Sequence, residues 1–383
     1  MFYPSLPFFR LHEKLPLPED IKTDGPAYLD IGRKINRFTI TELLGAGACG
    51  AVYLCEEDTT GAKAALKAEA LSDIGNGLKL EVQALKRLHG KKHICQLISC
   101  GKNADFCYLV MTLLGPSLNQ LFRVCGSQFS KSTVIRIAIQ ILYGVKQIHD
   151  CGFVHRDLKP ANIAIGRKVT DYKMIHILDF GLSREYFKII DGKLTIRPPR
   201  KNVSFRGTVK YCSSNAFKRN EQCRGDDLIS LMYICAEFLS KLPWKDMSQR
   251  QQVNMMKETY PDEMLFSSIP ELIDAIKYVK TLGYYDKPDY HYIFNIFNSY
   301  RIANKISYID LYDWEKPNRA MSLKILIHRI APSKKDLYKK NPFQWLWEKN
   351  DFTTVLSLHH ESIGQKMEDY LVEEEFIKNE IDF

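Results

Sequence analysis

The stretch HRDLKPAN, from His155 to Asn162, and the tripeptide DFG, from Asp179 to Gly181, decide how this chain is read. Between them they supply two acids, an ammonium and an amide. Asp157 can accept a hydroxyl proton or orient a nucleophile. Lys159 can neutralise charge on a moving anionic group. Asn162, shortly after Asp157, offers a neutral oxygen ligand, and Asp179 a charged one. Hard oxygen ligands suit Mg2+, which keeps several waters and binds substrate phosphates. An attacking hydroxyl aligned with a terminal phosphate, with positive charge against its oxygens, is what such a set can serve.

Upstream, Gly45, Ala46, Gly47, Ala48, Cys49 and Gly50 have the spacing G-x-G-x-x-G. Alone that spacing also fits a dinucleotide site or a plain hairpin turn. A dinucleotide site needs a helix after its glycines. Here AVYLC follows, which reads as a strand. A hairpin lying over phosphates fits better, because glycine lets backbone N–H groups approach oxygens closely. One strand further on, Lys67 closes the run Ala64, Ala65, Leu66, Lys67, and Glu81 follows inside a predicted helix. A lysine that holds phosphates needs a fixed carboxylate behind it, or its flexible stem wanders and its burial is unfavourable. Singly, each residue would read as a surface charge. Jointly they read as a pair.

Around these motifs the texture is two-part. FTITELLG, AVYLCEE, AKAALKAE, HICQLISC and CYLVMTLL read as strands, and Leu78–Leu88 as one amphipathic helix. Beyond LLGPSL the pattern turns helical. Ser130–Asp150 carries a helical apolar stripe with a serine to cap it and Gly152 to stop it. Leu228–Leu239 is apolar nearly all round and predicts an enclosed helix. Helices are expected to continue to about residue 330. Residues 1–34, with prolines at 4, 7, 16, 18 and 26, read as an extended leader. Residues 331–383 form an extension that ends acidic.

The 383 residues are 45% hydrophobic and 26% charged, which excludes a mainly disordered chain. Every apolar run falls short of the roughly 20 residues that a helical membrane span needs, so none is expected. Pro4 and Pro7 interrupt the hydrophobic start, which argues against a signal peptide. Ten cysteines show no CxxC pair and no matching histidine spacing, which favours buried thiols in a reducing compartment. A cytoplasmic setting, with the nucleus also open, is the expectation. Net charge is +9; residues 361–383 hold eight acids against two lysines, so the remainder is more basic still.

With these residues in place, the chain resembles a eukaryotic protein kinase, and more narrowly the casein kinase 1 superfamily, especially its tau-tubulin kinase-like branch. MTLLGPSL (Met111–Leu118), Ile165-Gly166, RPPR (Arg197–Arg200), FRGTVKY (Phe205–Tyr211), DDL (Asp226–Leu228), LPW (Leu242–Trp244), KPDY (Lys287–Tyr290) and DWEK (Asp313–Lys316) carry the narrower likeness, over roughly residues 35–317. It implies an α+β, bilobal kinase fold: a small, mostly-β N-lobe with one helix (about 35–112) and a larger, mostly-α C-lobe (about 116–330). It implies ATP and Mg2+ as cofactors, with Asn162 and Asp179 as metal ligands. Met111 would lie behind the adenine, Thr112 and Leu114 would offer hinge backbone groups, and Val52 and Ala65 would cover the apolar face. Asp227 would tie down the catalytic loop, Thr208 would meet Asp157 and Lys159, and Lys159 would favour Ser/Thr over Tyr. Two positions depart from the pattern. Cys49 stands where an aromatic residue is common, and Ser213-Ser214-Asn215 replaces Ser-Ile-Asn.

Residues 197–210 contain five basic residues and no acid. Arg156, Arg206 and Lys210 are candidates for a subsite that holds acidic or phosphorylated protein substrates; a merely solvated basic loop is the alternative. A pseudokinase or scaffold is the competing function, but it commonly lacks Lys67, Asp157 or Asp179, all present here. Nucleic-acid binding is not expected, since no interleaved aromatics or recognised module accompany the basic charge. A monomer is the default. Trp345 and Trp347 suggest that the extension packs on the large lobe, because exposed paired tryptophans are unfavourable; an acidic pseudosubstrate is the other reading.

Overall fold

The computed structural model describes residues 27–47, 50–71, 77–167, 171–190 and 193–316. Trp345, Trp347 and the acidic end lie outside the described residues, as do Ala48, Cys49 and most of the proline-rich leader.

The small lobe is one antiparallel sheet of β1 (Lys34–Ile35), β2 (Phe38–Gly47), β3 (Gly50–Glu57), β4 (Lys63–Ala70), β5 (Leu97–Lys102) and β6 (Phe106–Thr112). Its strand order is β1-β2-β3-β4-β6-β5. Alternating side chains give the sheet two apolar faces. Ile40, Tyr53, Leu66 and Val110 belong to an outer cluster; Leu54, Ala65, Leu109 and Met111 belong to an inner one. Helix α1 (Gly77–Arg87) turns Leu78, Glu81, Ala84 and Leu85 inward. Part of the expected leader is ordered on this lobe: Leu29 is buried and its N–H donates to the Tyr53 hydroxyl at 2.8 Å. The strand predicted from His93 starts only at Leu97, because His93 takes a left-handed φ of 60° and Ile94 bridges instead to Ile177.

The large lobe contains α2 (Leu118–Val124), α3 (Lys131–Asp150), the short strands β7 (Phe153–Val154), β8 (Ile163–Ile165), β9 (Ile175–Ile177) and β10 (Arg184–Glu185), and the hairpin β11 (Phe187–Ile190)–β12 (Lys193–Ile196). Helices α4 (Ser214–Phe217), α5 (Arg224–Leu239), α6 (Arg250–Thr259), α7 (Asp262–Leu265), α8 (Leu272–Thr281) and α9 (Tyr290–Ala303) follow. Ser130 caps α3 by accepting the Thr133 N–H. Past its end Gly152 has φ 84°, and a Cβ there would collide with the Phe187 ring.

The expected helical run breaks off early within the described residues, and residues 317–330 lie outside them. Helix α9 ends at Ala303, and residues 304–316 run irregularly across α3 with a single 3-10 turn at Asp313–Glu315. The polar residues of α3 explain this path. Arg136 is fully buried and donates to the carbonyls of Asp310 (2.6 Å) and Leu311 (3.1 Å). Gln140 reaches the Tyr312 hydroxyl at 2.9 Å. Trp314 is stacked on Tyr312 and edges Phe129. Thus α3 is covered on its polar side as well as along its apolar stripe.

Candidate active site

Strand β4 and helix α1 place Lys67 and Glu81 face to face, 2.7 Å apart and both buried. Asp179 approaches the same ammonium at 3.0 Å, and the other Glu81 oxygen accepts the Phe180 N–H at 3.2 Å. Burial alone would drive the Lys67 ammonium toward neutrality, but the two carboxylates outweigh it and hold its pKa above the ordinary lysine value. Burial lifts Glu81, whereas Lys67 overcomes the burial of Asp179 and holds that acid below its usual range. The lysine therefore stays charged between the lobes.

The loop 155–162 is held from below by α5. One Asp227 oxygen accepts the His155 N–H at 2.7 Å, and the other the Arg156 N–H at 2.8 Å. His149 adds a 2.9 Å contact to Asp227. Burial keeps His149 below its normal pKa, so this contact is a hydrogen bond from a neutral ring. Arg156 and Asp179 both adopt left-handed φ values, 68° and 66°. Such conformations are disfavoured for non-glycine residues and persist where surrounding bonds impose them. Here the Asp227 clamp and the Lys67 ion pair do so.

Above the clamp, Asp157 accepts the Thr208 hydroxyl at 2.6 Å on one oxygen and the Lys159 ammonium at 2.6 Å on the other. Lys159 also lies 3.3 Å from the Thr208 hydroxyl. Asn162 donates its amide to the Asp157 carbonyl at 3.0 Å and carboxylate at 3.3 Å. That leaves the Asn162 side-chain oxygen without a hydrogen bond among the described residues. A hard oxygen on Asn162 and the partly exposed Asp179 carboxylate match the donors Mg2+ takes.

Val52, Ala65, Met111 and Leu114 share one apolar cluster with Ala164 and Leu178, the makings of a flat slot at the lobe junction. The Thr112 N–H is taken by the Gln96 carbonyl at 2.9 Å, so a hinge contact from this residue would fall on its carbonyl, which the Cys95 thiol also approaches at 3.7 Å. The Leu114 backbone carries no hydrogen bond among the described residues. Gly45, Ala46 and Gly47 run opposite Val52, Ala51 and Gly50 in the β2–β3 ladder. Gly50 has φ 107°, and a Cβ there would come within 2.6 Å of the Ala68 carbonyl.

The three proposed anion ligands are not equivalent. Arg156 is turned inward, donating to the Leu182 carbonyl at 2.7 Å and lying 3.7 Å from Glu221. Lys210 pairs with Glu237, which also accepts the Tyr211 hydroxyl. Arg206 is exposed, and its guanidinium has no hydrogen bond or ion pair among the described residues. Glu221 is invisible from sequence: Arg156, Arg184 and Arg200 converge on this one buried carboxylate. Despite burial, their charge holds Glu221 below its normal pKa. The Ser213-Ser214-Asn215 departure is accommodated simply. Ser213 and Asn215 both bond Asp226, beside the loop clamp, while Ser214 is half-buried.

A family description of the protein kinase domain matches residues 38–285. A Caenorhabditis elegans protein bearing the name serine/threonine-protein kinase is 40% identical over 304 residues, covering 78% of this chain and 87% of that protein. A Dictyostelium discoideum protein of the same designation is 32% identical over 282 residues, covering 73% of this chain and 56% of that protein. Seen with the Lys67–Glu81 pair, the clamped 155–162 loop and the two-lobed fold, these matches establish that the chain belongs to the protein kinase family.

Proposed function

We propose that this kinase transfers the terminal phosphoryl group of ATP to serine and threonine hydroxyls of proteins, and that it belongs to the casein kinase 1 superfamily near the tau-tubulin kinase-like branch. The observation that carries the reading is the closed set Asp157–Lys159–Thr208. Asp157 orients the incoming hydroxyl and takes its proton. Lys159, 2.6 Å from that carboxylate, is placed to offset charge on the group being transferred. Lys67, fixed by Glu81, would hold nucleotide phosphates, and Asn162 with Asp179 would hold Mg2+. When bound, Mg2+ would neutralise phosphate charge. We further propose a reducing, intracellular setting, which rests on ten cysteines without CxxC spacing in the sequence.

Acidic substrates are favoured by the charge beside the cleft. Of the three candidate cations Arg206 is the accessible one, whereas Glu237 occupies Lys210 and Glu221 faces Arg156. Arg206→Glu should therefore raise KM for an acid-rich peptide about tenfold and for a neutral peptide less than about twofold. Equal effects on both peptides would remove the subsite. Phosphoamino-acid analysis of labelled substrate tests the hydroxyl preference: phosphoserine and phosphothreonine are expected, and predominant phosphotyrosine would contradict it.

A further inference from the structure

Lys257, on α6, has an environment unusual for a lysine. It is 3% exposed and makes no ion pair with a carboxylate among the described residues. Its ammonium donates to the carbonyls of Val209 and Cys212, each at 2.7 Å. The rings of Phe217, Tyr233 and Trp244 surround it with centroids 5.3, 5.0 and 5.4 Å away. Burying an unpaired charge is costly unless fixed dipoles replace its water. Carbonyls and ring faces do so here. Trp244 adds a bond from its indole N–H to the Lys210 carbonyl at 2.9 Å.

All three carbonyls belong to the turn that follows Thr208, whose own carbonyl accepts the Tyr211 and Cys212 N–H groups at 2.9 Å. The same turn therefore touches Asp157 at its start and Lys257 underneath. A substrate hydroxyl that reaches Asp157 must bring its flanking chain across this turn. We propose that Lys257 is a positioning residue that holds the turn 208–212 as the bed for the substrate peptide, acting on peptide recognition rather than on nucleotide binding. The proposal rests on the kinase reading.

The turn and its neighbours contribute other titratable groups: Cys212, Lys210 and Tyr211 on the turn, Tyr233 and Glu237 on α5, and Glu258, which pairs with Lys218. Burial pushes the Cys212 thiol up to about 11 and the Tyr233 hydroxyl higher, whereas it brings Lys257 down to about 8. Binding of a fluorescent acid-rich peptide with no group titrating between about pH 7 and 9 is the test, paired with KM for ATP. Lys257→Met should weaken peptide binding about tenfold and shift KM for ATP less than about twofold. Lys257→Arg, which keeps the charge, should bind within about threefold of wild type. Wild-type binding should weaken as pH rises through about 8, and that of Lys257→Arg should not. A folded Lys257→Met with wild-type peptide affinity would overturn the proposal, as would pH-independent wild-type binding, which needs no variant to read. Peptide binding is measured without turnover, so absence of phosphoryl transfer by the wild type would count against the kinase reading alone.

Discussion

Asp227 shows how one carboxylate organises the loop that carries Asp157. It accepts from two consecutive backbone N–H groups and from His149, all in the interior. Burial by itself would raise its pKa, but these donors overcome burial and lower it. A carboxyl depressed in the folded state contributes stability at neutral pH and loses it as pH falls through the folded pKa. Asp227→Asn turns an N–H2 toward one of these donors. We expect a loss of about 1–3 kcal/mol at pH 7, read from urea midpoints, because a buried donor then goes unsatisfied. The gap between variant and wild type should narrow as acid protonates Asp227. An unchanged midpoint at pH 7 would show that the loop is held otherwise. Sequence makes Asp227 legible because it opens an enclosed helix within a known motif. Glu221 and Lys257 are not legible. The arginines that meet Glu221 are scattered along the chain at Arg156, Arg184 and Arg200, and the partners of Lys257 are backbone carbonyls.

At the scale of elements, α3 is the axis of the large lobe and its coverage comes from an irregular segment. Asp313 accepts the Ser130 N–H at 2.6 Å and so reinforces the helix cap, while Trp314 seals the aromatic group around Phe129. Trp314→Ala should cost about 3–5 kcal/mol of stability, seen as a lower melting temperature and urea midpoint. A loss below about 1 kcal/mol would mean that this segment merely rests on α3. Apolar periodicity marks α3 correctly but cannot disclose what covers Arg136 and Gln140, because a pattern of hydrophobic positions says nothing about distant carbonyls. For the same reason the helical texture after α9 misreads residues 304–316, which are irregular. The strands of the small lobe are easier to locate, since their alternation and glycine turns are local.

Over the whole molecule, the outer cluster belongs to the small lobe alone, whereas Ala84 and Leu85 of α1, with Leu88 just after it, join the large-lobe core, and the two lobes meet where Lys67, Asp157, Asn162 and Asp179 lie. Residues that bear chemistry at fixed local spacing are readable in one dimension. The charge balance of the cleft is not, because Glu221 and Glu237 temper cations that look unopposed in sequence. The most direct measurement is transfer of label from γ-labelled ATP, with Mg2+, to casein by the wild type and by Asp157→Asn. Wild type should label serine and threonine residues, and the folded variant should fall by at least about a hundredfold. No transfer by folded wild type, or equal transfer by both proteins, would contradict the assignment of Asp157 and the phosphotransferase reading built on it.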